Sequence, residues 1–591
     1  MRIRPIAEDS YLRLIRTARR MEPATCWIKG ANVLNVYTRE WLTAHVVLAG
    51  ERIAYVGDAE PIVDERTQII EGEGYWLVPG YIEPHAHPFQ WYTFDSLADF
   101  ALATGTTTLV SDTLHLTTSL SLEQVEAILQ QLTNHPVKQF FWARLDPQIR
   151  LAKQSEAFQK DGLARLLAHP LVLQGGEITD WTGFLAENEE ILFGMKHARD
   201  VGKRIEGHHP GASASTLAVA AAAGITACHE SITAEEVQNR LRLGMYATLR
   251  HSSIRPDLPE LLAGMKRLGI PFHSSRLMLT SDGSTPPMLR HGFTDYLIKL
   301  AIDAGVPDVD AYAMATVNPA QYYGLDAEIG GIAPGRIADI LFLRSPHEPT
   351  PEKVIANGEL WAEGKKLLRQ TPKINWSDYR FPQPKERLPL VNEEWFQFPE
   401  ISPDEPYPLI QMENAVITRV VYERLECDET GRINFDAHPD LAQIVTIDPE
   451  SGKRSQAIVR GFAVNLQALA SSYTVSTDMI VIGREPKAMK QALERVLELG
   501  GGIVAMEEGR ICFEQELALA GKMSDESMEE LIESGEAFVR FIRAKGYRYL
   551  DPIYSLFFFQ ATHLPYVRMT AEGLYDVKKS VVIKKSAPLF E

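Results

Sequence analysis

Residues 203–230 read KRIEGHHPGASASTLAVAAAAGITACHE, a stretch in which two short strand-like segments enclose one helical segment. The alanine-rich run ASTLAVAAAA consists largely of residues that favour the helix, and the segments KRIEG and ITAC that flank it are short. The stretch therefore predicts a strand, a helix and a second strand. Such units place neighbouring strands parallel to each other in one sheet, with the helix against its face.

The same alternation of strand-like and helical segments continues on both sides of this stretch. Helical patterns such as SLEQVEAILQQL and TAEEVQNRLRLG separate several strand-like segments. In chain order, the eight strand-like segments are GYIEPHAH, GTTTLVSD, FFWARLDP, LQGGEITD, KRIEGHHP, ITACHE, MYATLR and FHSSRLML. An alternation repeated this often predicts an α/β fold whose central domain, residues 80–319, is a closed (β/α)8 barrel of the TIM type.

Short strand patterns precede and follow this barrel. Residues 1–79 begin with a basic, amphipathic segment, which we expect to form a surface helix rather than a secretory signal, and continue with strand patterns such as AHVVLAG. Residues 320–370 return to the same pattern, so the two regions are expected to join in space as a small β-sandwich. A linker rich in proline and charge is predicted at residues 371–391, and a C-terminal α+β domain at residues 392–591.

The composition excludes several classes of protein. Of the 591 residues, 45% are hydrophobic and 23% are charged, which is typical of a globular chain with several domains. A formal net charge of -18 without a long basic run argues against nucleic acid as a partner, and no apolar run is long enough to span a membrane. The cysteines are far apart and form no CxxC pair, which indicates a reducing, cytoplasmic location. They are Cys26, Cys228, Cys427 and Cys512.

The segment PGYIEPHAHP, residues 79–88, places Glu83, His85 and His87 at alternate positions. Alternate side chains of a strand share one face, and at the end of a first barrel strand that face points into the barrel mouth. Neutral imidazole is a common ligand of zinc, manganese and iron. The HxH pair alone is weak evidence for a metal, since many buried histidines are only hydrogen-bonded core residues.

Further ligand types stand at the ends of later strand segments. They are Glu177 in LQGGE, His208 and His209 in RIEGHH, His229 and Glu230 in ITACHE, and Asp282 in LMLTSD. The carboxyl ends of barrel strands converge at one rim, where the active sites of barrel enzymes lie. The combined pattern therefore predicts a metal site at this rim, with a small molecule as the substrate.

This order of ligand types, with HxH after the first strand and further ligands after the fourth, fifth, sixth and eighth, resembles the amidohydrolase superfamily. Longer stretches resemble the adenine deaminase family within it, and the most specific of them lies in residues 205–230. The stretches are GGEITDWTGF, EGHHPGASASTLAVAAAAGITACHE, RLRLGMYATLR, MLTSDGSTPPMLRHGFTDY, MATVNPAQYYGL, IAPGRIADI, LGGGIVAMEEGR and LALAGKMSDESMEEL. Together they extend over most of the chain, including the C-terminal domain.

The resemblance implies a hydrolase of purine metabolism that converts adenine to hypoxanthine and ammonia by a metal-activated hydroxide. It implies two divalent ions per chain, manganese or iron, with zinc as a further candidate. The family's ligand positions correspond to His85, His87, Glu177, His208, His229 and Asp282. Because Glu177 supplies the carboxylate of the site, Glu83 is expected either to support a ligand without binding the metal or to be structural. His209 is expected to be a neighbour, since His208 matches the ligand position.

The resemblance also implies roles in proton transfer. Asp282 is placed to take the proton of the attacking water and to deliver it to the leaving amine, as general base and then general acid. Glu230 has two readings, either a second proton carrier or a structural residue in an ion pair or a helix cap.

The chain departs from the family pattern at three places beside the ligands. Phe89 stands where the family has a glutamate after HxH, and Leu114 lies where a His-Glu pair is expected after Asp112. In the C-terminal domain, the stretch SSYTVSTDMIVIG, residues 471–483, replaces a histidine-rich one. These departures leave open a second hypothesis, an amidohydrolase that acts on a different purine, amine or cyclic amide.

A third hypothesis is a metal-binding scaffold without turnover, which Asp282 disfavours because a purely structural site needs no proton carrier. The zinc-dependent deaminases that carry a PCxxC motif are excluded, because the sequence contains no CxxC. The large appended domains and the acidic charge are compatible with a homo-oligomer.

Overall fold

A computed structural model describes residues 3, 5–149, 155–388, 390–398, 400–476 and 478–589. Its centre is a barrel of eight parallel strands, hydrogen-bonded to one another in chain order. The first to the eighth barrel strands are Tyr81–Ala86, Thr106–Asp112, Lys138–Ala143, Val172–Ile178, Arg204–Gly207, Ala227–Cys228, Tyr246–Arg250 and Leu277–Thr280. Each of them overlaps one of the eight predicted segments, so the predicted barrel is confirmed.

The barrel closes through a parallel bridge between Ala86, at the end of the first strand, and Asp282, just after the eighth. The carboxyl ends of all eight strands therefore form one rim. Closure makes neighbours of HxH and Asp282, which lie far apart in sequence.

Helices surround the barrel, and local sequence signals set their boundaries. Ser121 begins the helix Leu122–Leu132 with a capping box, while Ser213 caps Ala214–Ala223 and Gly224 ends it with a φ of 101°. Further helices of this region are Phe94–Ala103, Leu114–Ser119, Lys160–Ala168, Trp181–Leu185, Glu189–Asp200, Ala234–Arg242, Leu258–Arg267, Pro286–Leu289, Thr294–Asp303, Asp308–Met314 and Val317–Tyr323. Among the described residues, no helix combines the length and the apolar character that a membrane span requires.

The strands before and after the barrel form one continuous nine-stranded sheet, so the small β-domain predicted from both flanks is a single hydrogen-bonded sheet. Trp76–Pro79 pairs antiparallel with Ile340–Leu343 and thereby joins the two flanks. The N-terminal helix Glu8–Ala18 packs on this sheet with most of its residues exposed. The remaining strands are Cys26–Asn35, Glu40–Ala49, Arg52–Gly57, Gln68–Glu71, Lys353–Ala356, Glu359–Glu363 and Lys366–Leu367.

The first part of the predicted linker 371–391, residues 374–381, lies along the barrel. Ile374, Trp376 and Phe381 are buried in one cluster with apolar residues of the barrel helices. The indole NH of Trp376 also donates to Asp95 at 3.3 Å. The aromatic residues of this segment therefore hold it against the barrel.

The C-terminal domain has the predicted mixture of helices and strands and is built on a second nine-stranded sheet, with the helix Pro486–Glu498 packed on it. The strands of this sheet are Tyr407–Met412, Thr418–Glu423, Leu441–Asp448, Lys453–Arg460, Ala468–Ser471, Met479–Gly483, Gly502–Glu507, Arg510–Glu516 and Ala587–Pro588. A smaller sheet contains Val567–Thr570, Gly573–Asp576 and Val581–Lys585, and two further helices are Met528–Ala544 and Pro552–Phe558.

The C-terminal domain covers the barrel mouth. Met523–Ser524 pairs in parallel with Trp91–Tyr92, which follows the first barrel strand. The hydroxyl of Thr285, just after the eighth strand, donates to Asp551 at 2.5 Å, and Asp551 caps the helix Pro552–Phe558. This helix is thereby fixed over the carboxyl end of the eighth strand.

Candidate metal centre

The residues predicted as ligands meet at the carboxyl end of the barrel. Their nitrogen and oxygen atoms form three groups, and within each group all ligand atoms lie within 4.8 Å of one another. The groups found among the described residues are His85, Glu177 and His229; His85, His87 and Asp282; and His208, His229 and Glu230. The structure thus brings together all six predicted ligands and Glu230, and it leaves His209 outside these groups.

One corner of the centre lies between the first and the eighth barrel strands. The Nε2 atoms of His85 and His87 are 3.1 Å apart, and Oδ1 of Asp282 lies 3.5 Å from the former and 3.0 Å from the latter. Three atoms that carry lone pairs therefore converge on one point. Buried acceptors without a shared partner are unfavourable, so this arrangement fits a divalent cation that accepts all three.

The other corner lies at the ends of the fourth, fifth and sixth strands. Oε2 of Glu177 lies 3.0 Å from Nδ1 of His208 and 3.2 Å from Nε2 of His229. The second oxygen, Oε1, turns toward the first corner and lies 3.8 Å from Nε2 of His87. Glu177 therefore has one oxygen on each side, which fits a ligand shared by two ions.

Buried carboxylates that lie outside the three ligand groups form hydrogen bonds with three of the imidazole rings. Glu206 lies 2.8 Å from Nδ1 of His85 and 3.1 Å from Nδ1 of His229, and Asp112 lies 2.9 Å from Nδ1 of His87. Because a carboxylate only accepts, each Nδ1 carries a proton and each Nε2 is available to a cation. Burial acts to lower the pKa of His85, but Glu206 and Asp282 together outweigh burial and raise this pKa to about 9, so a cation that binds at Nε2 would displace a proton from the ring.

A buried guanidinium group neutralises two of the carboxylates. Nη2 of Arg144 lies 2.9 Å from Oε1 of Glu177, and Nε of Arg144 donates to Asp112 at 3.0 Å. Burial acts to raise the pKa of Glu177, but the charge of Arg144 holds this pKa well below its usual range. Glu177 is therefore ionised, as a metal ligand must be.

Asp282 and Glu230 share Arg250, which ends the seventh strand. Nη1 of Arg250 lies 2.8 Å from Oδ2 of Asp282 and also pairs with Glu230, while Arg255 holds the other oxygen of Glu230 at 2.6 Å. Burial acts to raise the pKa of Glu230, but Arg250, His208 and Arg255 together outweigh burial and the pKa falls to about 2. The geometry shows that Glu230 is part of an ion pair, as one of its two readings expected, and its role as a proton carrier stays a prediction.

Two neighbours of the ligands make structural contacts. The carboxylate of Glu83 accepts hydrogen bonds from the hydroxyl of Thr280 at 2.6 Å and from the backbone NH of Ser281 at 2.9 Å. Glu83 thus ties the first barrel strand to the eighth, in agreement with its expected structural role. His209 packs its ring against Trp181, with the ring centroids 4.0 Å apart.

Three further residues of the centre were not predicted from the sequence, namely Glu206, Arg144 and Arg250. Glu206 stands two residues before His208 and so follows the same alternation that placed both histidines of HxH on one face. Arg250 ends the predicted segment MYATLR, where the rule of strand ends applies as well. Residues that contact the predicted ligands can therefore be found by the same rule as the ligands, from their positions at or near the ends of barrel strands.

A cavity of about 1030 Å³ opens from the centre, between the barrel and the C-terminal domain. Glu177, His208 and Asp282 lie in its barrel wall, and Tyr554 and His563 belong to its C-terminal wall. The volume is at the upper end of the range for small-molecule sites. The C-terminal domain therefore completes the chamber onto which the ligand groups open.

The positions that depart from the expected family pattern contribute to an aromatic cluster beside the centre. The ring of Phe89 meets His115 edge-on at 4.5 Å and stacks with Phe557 at 6.1 Å. Tyr473, from the 471–483 stretch, packs on Phe557 at 5.0 Å. Burial lowers the pKa of His115 to about 3, so its ring is neutral. Uncharged rings thus occupy this side of the centre.

Gly283, next to Asp282, marks a close approach of the barrel and the C-terminal domain. A β-carbon at this position would lie 1.8 Å from the hydroxyl oxygen of buried Tyr554. We expect Gly283→Ala to displace Tyr554, to lower the free energy of unfolding by about 1–3 kcal/mol and to reduce activity. Thermal unfolding measures the first effect. Gly175→Ala is the control, because its β-carbon would meet side chains no closer than 3.4 Å; equal losses in both variants would contradict the prediction.

Comparisons with known proteins give family matches for two regions of the chain. The profile of the amidohydrolase family matches residues 76–361, and that of the adenine deaminase C-terminal domain matches residues 415–581. Among solved structures, beta-aspartyl dipeptidase from Fervidobacterium islandicum AW-1 aligns with 58% of this chain and 98% of its own, at a TM-score of 0.46 and 18% identity.

Relatives are similar over nearly the whole chain. A protein of Halalkalibacterium halodurans named "Putative adenine deaminase BH0637" is 38% identical over 95% of this chain and 94% of its own length. A protein of Moorella thermoacetica named "Adenine deaminase" is 29% identical over 97% of both chains. The chain therefore belongs to the adenine deaminase family of the amidohydrolase superfamily.

Proposed function

We propose that this protein is a metal-dependent adenine deaminase, which hydrolyses adenine to hypoxanthine and ammonia. The observation that carries the proposal is the position of Glu177 between two groups of ligand atoms at the mouth of an amidohydrolase barrel. The similarity over nearly the full length to proteins named adenine deaminase supports the choice of substrate.

Imidazole and carboxylate groups form the proposed ligand set, without a thiolate. It consists of His85, His87 and Asp282 on one side, His208 and His229 on the other, and Glu177 between them. Such donors suit manganese, iron and zinc, and we infer two manganese or iron ions per chain. Divalent ions held there would lower the pKa of a bound water, so that hydroxide is available near neutral pH.

Asp282 carries the proposed proton transfers. Its Oδ1 faces the ligand groups, and Arg250 holds its Oδ2 at 2.8 Å. Burial acts to raise the pKa of Asp282, but Arg250, His85 and His87 together outweigh burial and hold this pKa well below its usual range. Asp282 is therefore ionised and can accept a proton from the attacking water and pass it to the departing amine. Glu230 keeps Arg250 in this position.

We infer that the enzyme works in the cytoplasm, in purine metabolism. Its four cysteines are free, which is what a reducing compartment favours. A homo-oligomer stays a prediction from the size and acidity of the chain.

Manganese-loaded protein is expected to release ammonia from adenine and to contain about two metal equivalents per chain. Ammonia release, hypoxanthine formation and elemental analysis of the same sample measure both properties. Protein stripped by a chelator should lose activity and regain it with manganese. The proposal would be contradicted by protein that binds no metal when it is produced with added manganese.

The cavity favours a second candidate, an amidohydrolase that acts on a larger purine, amine or cyclic amide. Its volume of about 1030 Å³ is large for a single purine base, and Phe89 gives it an aromatic side. A screen of substituted purines and cyclic amides with the manganese-loaded protein separates the two candidates. Turnover of such a compound, with none of adenine, would replace the first candidate by the second.

A further inference from the structure

His563 belongs to the C-terminal domain but lies at the barrel mouth. Its Nδ1 is 3.3 Å from the backbone carbonyl oxygen of Gln148, in the loop after the third barrel strand. A carbonyl oxygen only accepts, so Nδ1 carries the proton and donates it. In the neutral ring, Nε2 is then the unprotonated nitrogen and a hydrogen-bond acceptor.

Aromatic neighbours fix the plane of this ring. The ring of His563 stands nearly perpendicular to His208 and to Phe558, at a centroid distance of 5.9 Å from each. All three residues line the cavity onto which the ligand groups open. Among the described residues, no protein group forms a hydrogen bond with Nε2 of His563, while Nδ1 is already engaged. A nitrogen acceptor with no hydrogen-bond partner in the described part of the chain is thus held beside His208, one of the proposed metal ligands.

We propose that His563 is a substrate-contacting residue, whose Nε2 accepts a hydrogen bond from a ring N–H of the purine. The proposal rests on the proposed function. A free purine base carries an N–H on its five-membered ring, and alkylation at that nitrogen removes the donor. His563 would therefore favour the free base over N9-substituted purines, because a substrate without the N–H leaves a desolvated acceptor without a partner.

The apolar surroundings of the ring fit the same substrate. Phe89, Phe557 and Phe558 line the cavity with flat rings, which suit a planar base. His563 supplies one directional polar contact within this apolar wall. Sites of this kind gain their specificity from a small number of such polar groups.

The test compares the unaltered manganese-loaded protein with His563→Phe and His563→Gln. Calorimetry measures the affinity for hypoxanthine, and steady-state kinetics measures KM and kcat for adenine and 9-methyladenine. We expect His563→Phe to weaken hypoxanthine binding and to raise KM for adenine about tenfold, with the loss mainly in KM. His563→Gln, whose amide oxygen can accept, should recover part of the affinity. The preference for adenine over 9-methyladenine should shrink in His563→Phe.

Two different failures can be told apart. If the unaltered protein turns over and binds the purines and His563→Phe does so with equal affinity, the role of His563 is overturned while the proposed function stands. If the unaltered protein neither deaminates adenine nor binds hypoxanthine, the proposed function fails, and the purine contact of His563 fails with it. Metal content and thermal unfolding of both variants, expected to match the unaltered protein, exclude indirect effects through the fold.

Discussion

Asp282→Asn is expected to lower kcat by about 10³-fold while the protein stays folded. Asparagine preserves the shape of the side chain but cannot take up the proton of the attacking water. The backbone of Asp282 has a φ of 51°, in the left-handed region that both aspartate and asparagine tolerate. The asparagine oxygen can still accept from Arg250, which lies 2.8 Å from Oδ2 of Asp282. The fold is therefore expected to survive, and the loss falls on the chemical step.

Steady-state kinetics at saturating manganese, together with circular dichroism, measures both parts of this expectation. Asp257→Asn is the matched control, because Asp257 also pairs with an arginine of this region, at 2.7 Å from Arg255, but lies outside the groups of ligand atoms. This control should retain activity close to that of the unaltered protein. Unchanged activity of Asp282→Asn, or an equal loss in both variants, would refute the proton-transfer role of Asp282.

The barrel and the convergence of the proposed ligands at its rim could be predicted because both depend on local periodicity. Strand segments recur with helices between them, and each strand delivers its last residues to the same rim. His85, His87 and Asp282 therefore lie together for a reason that is visible in the sequence. The same reasoning, applied to the strand residues before each ligand, would also have identified Glu206, which stands two positions before His208.

The wall of the cavity opposite the ligands could not be predicted in this way. His563 and Tyr554 reach the barrel mouth because the C-terminal domain docks there, and local periodicity does not encode where a separate domain docks. The docking depends on pairs such as Thr285 with Asp551, whose members are distant in sequence. Neither residue of such a pair has a feature in its own segment that would predict the contact.

The arginines that neutralise the buried carboxylates of the centre could not be predicted from the sequence either. Arg144 and Arg250 belong to predicted strand segments, but a single buried arginine has no pattern until its carboxylate partners are placed around it. The pairing of Glu230 with Arg250 illustrates this point, since the sequence left its ion-pair and proton-carrier readings equally open. The distances show that Glu230 is ion-paired with Arg250 and Arg255, and its role as a proton carrier stays a prediction.

Glu177→Gln is expected to have the largest effect on metal binding, because Glu177 is the one predicted ligand with an oxygen on each side of the centre. Its Oε2 lies 3.0 Å from Nδ1 of His208, and its Oε1 lies 3.8 Å from Nε2 of His87. Glutamine has one neutral oxygen and an amide group that cannot bind a cation. We expect the variant to retain at most one metal equivalent and to lose adenine deamination.

Elemental analysis and thermal unfolding with and without a chelator measure this loss. Ions that bind the folded state stabilise it, so a chelator should lower the Tm of the unaltered protein more than that of Glu177→Gln. Glu206→Gln is the matched comparison, since Glu206 is also buried but contacts His85 and His229 from outside. Its metal affinity should fall about 10–100-fold and its occupancy should recover with excess manganese. Two equivalents bound to Glu177→Gln with unchanged affinity would rule out Glu177 as the shared ligand.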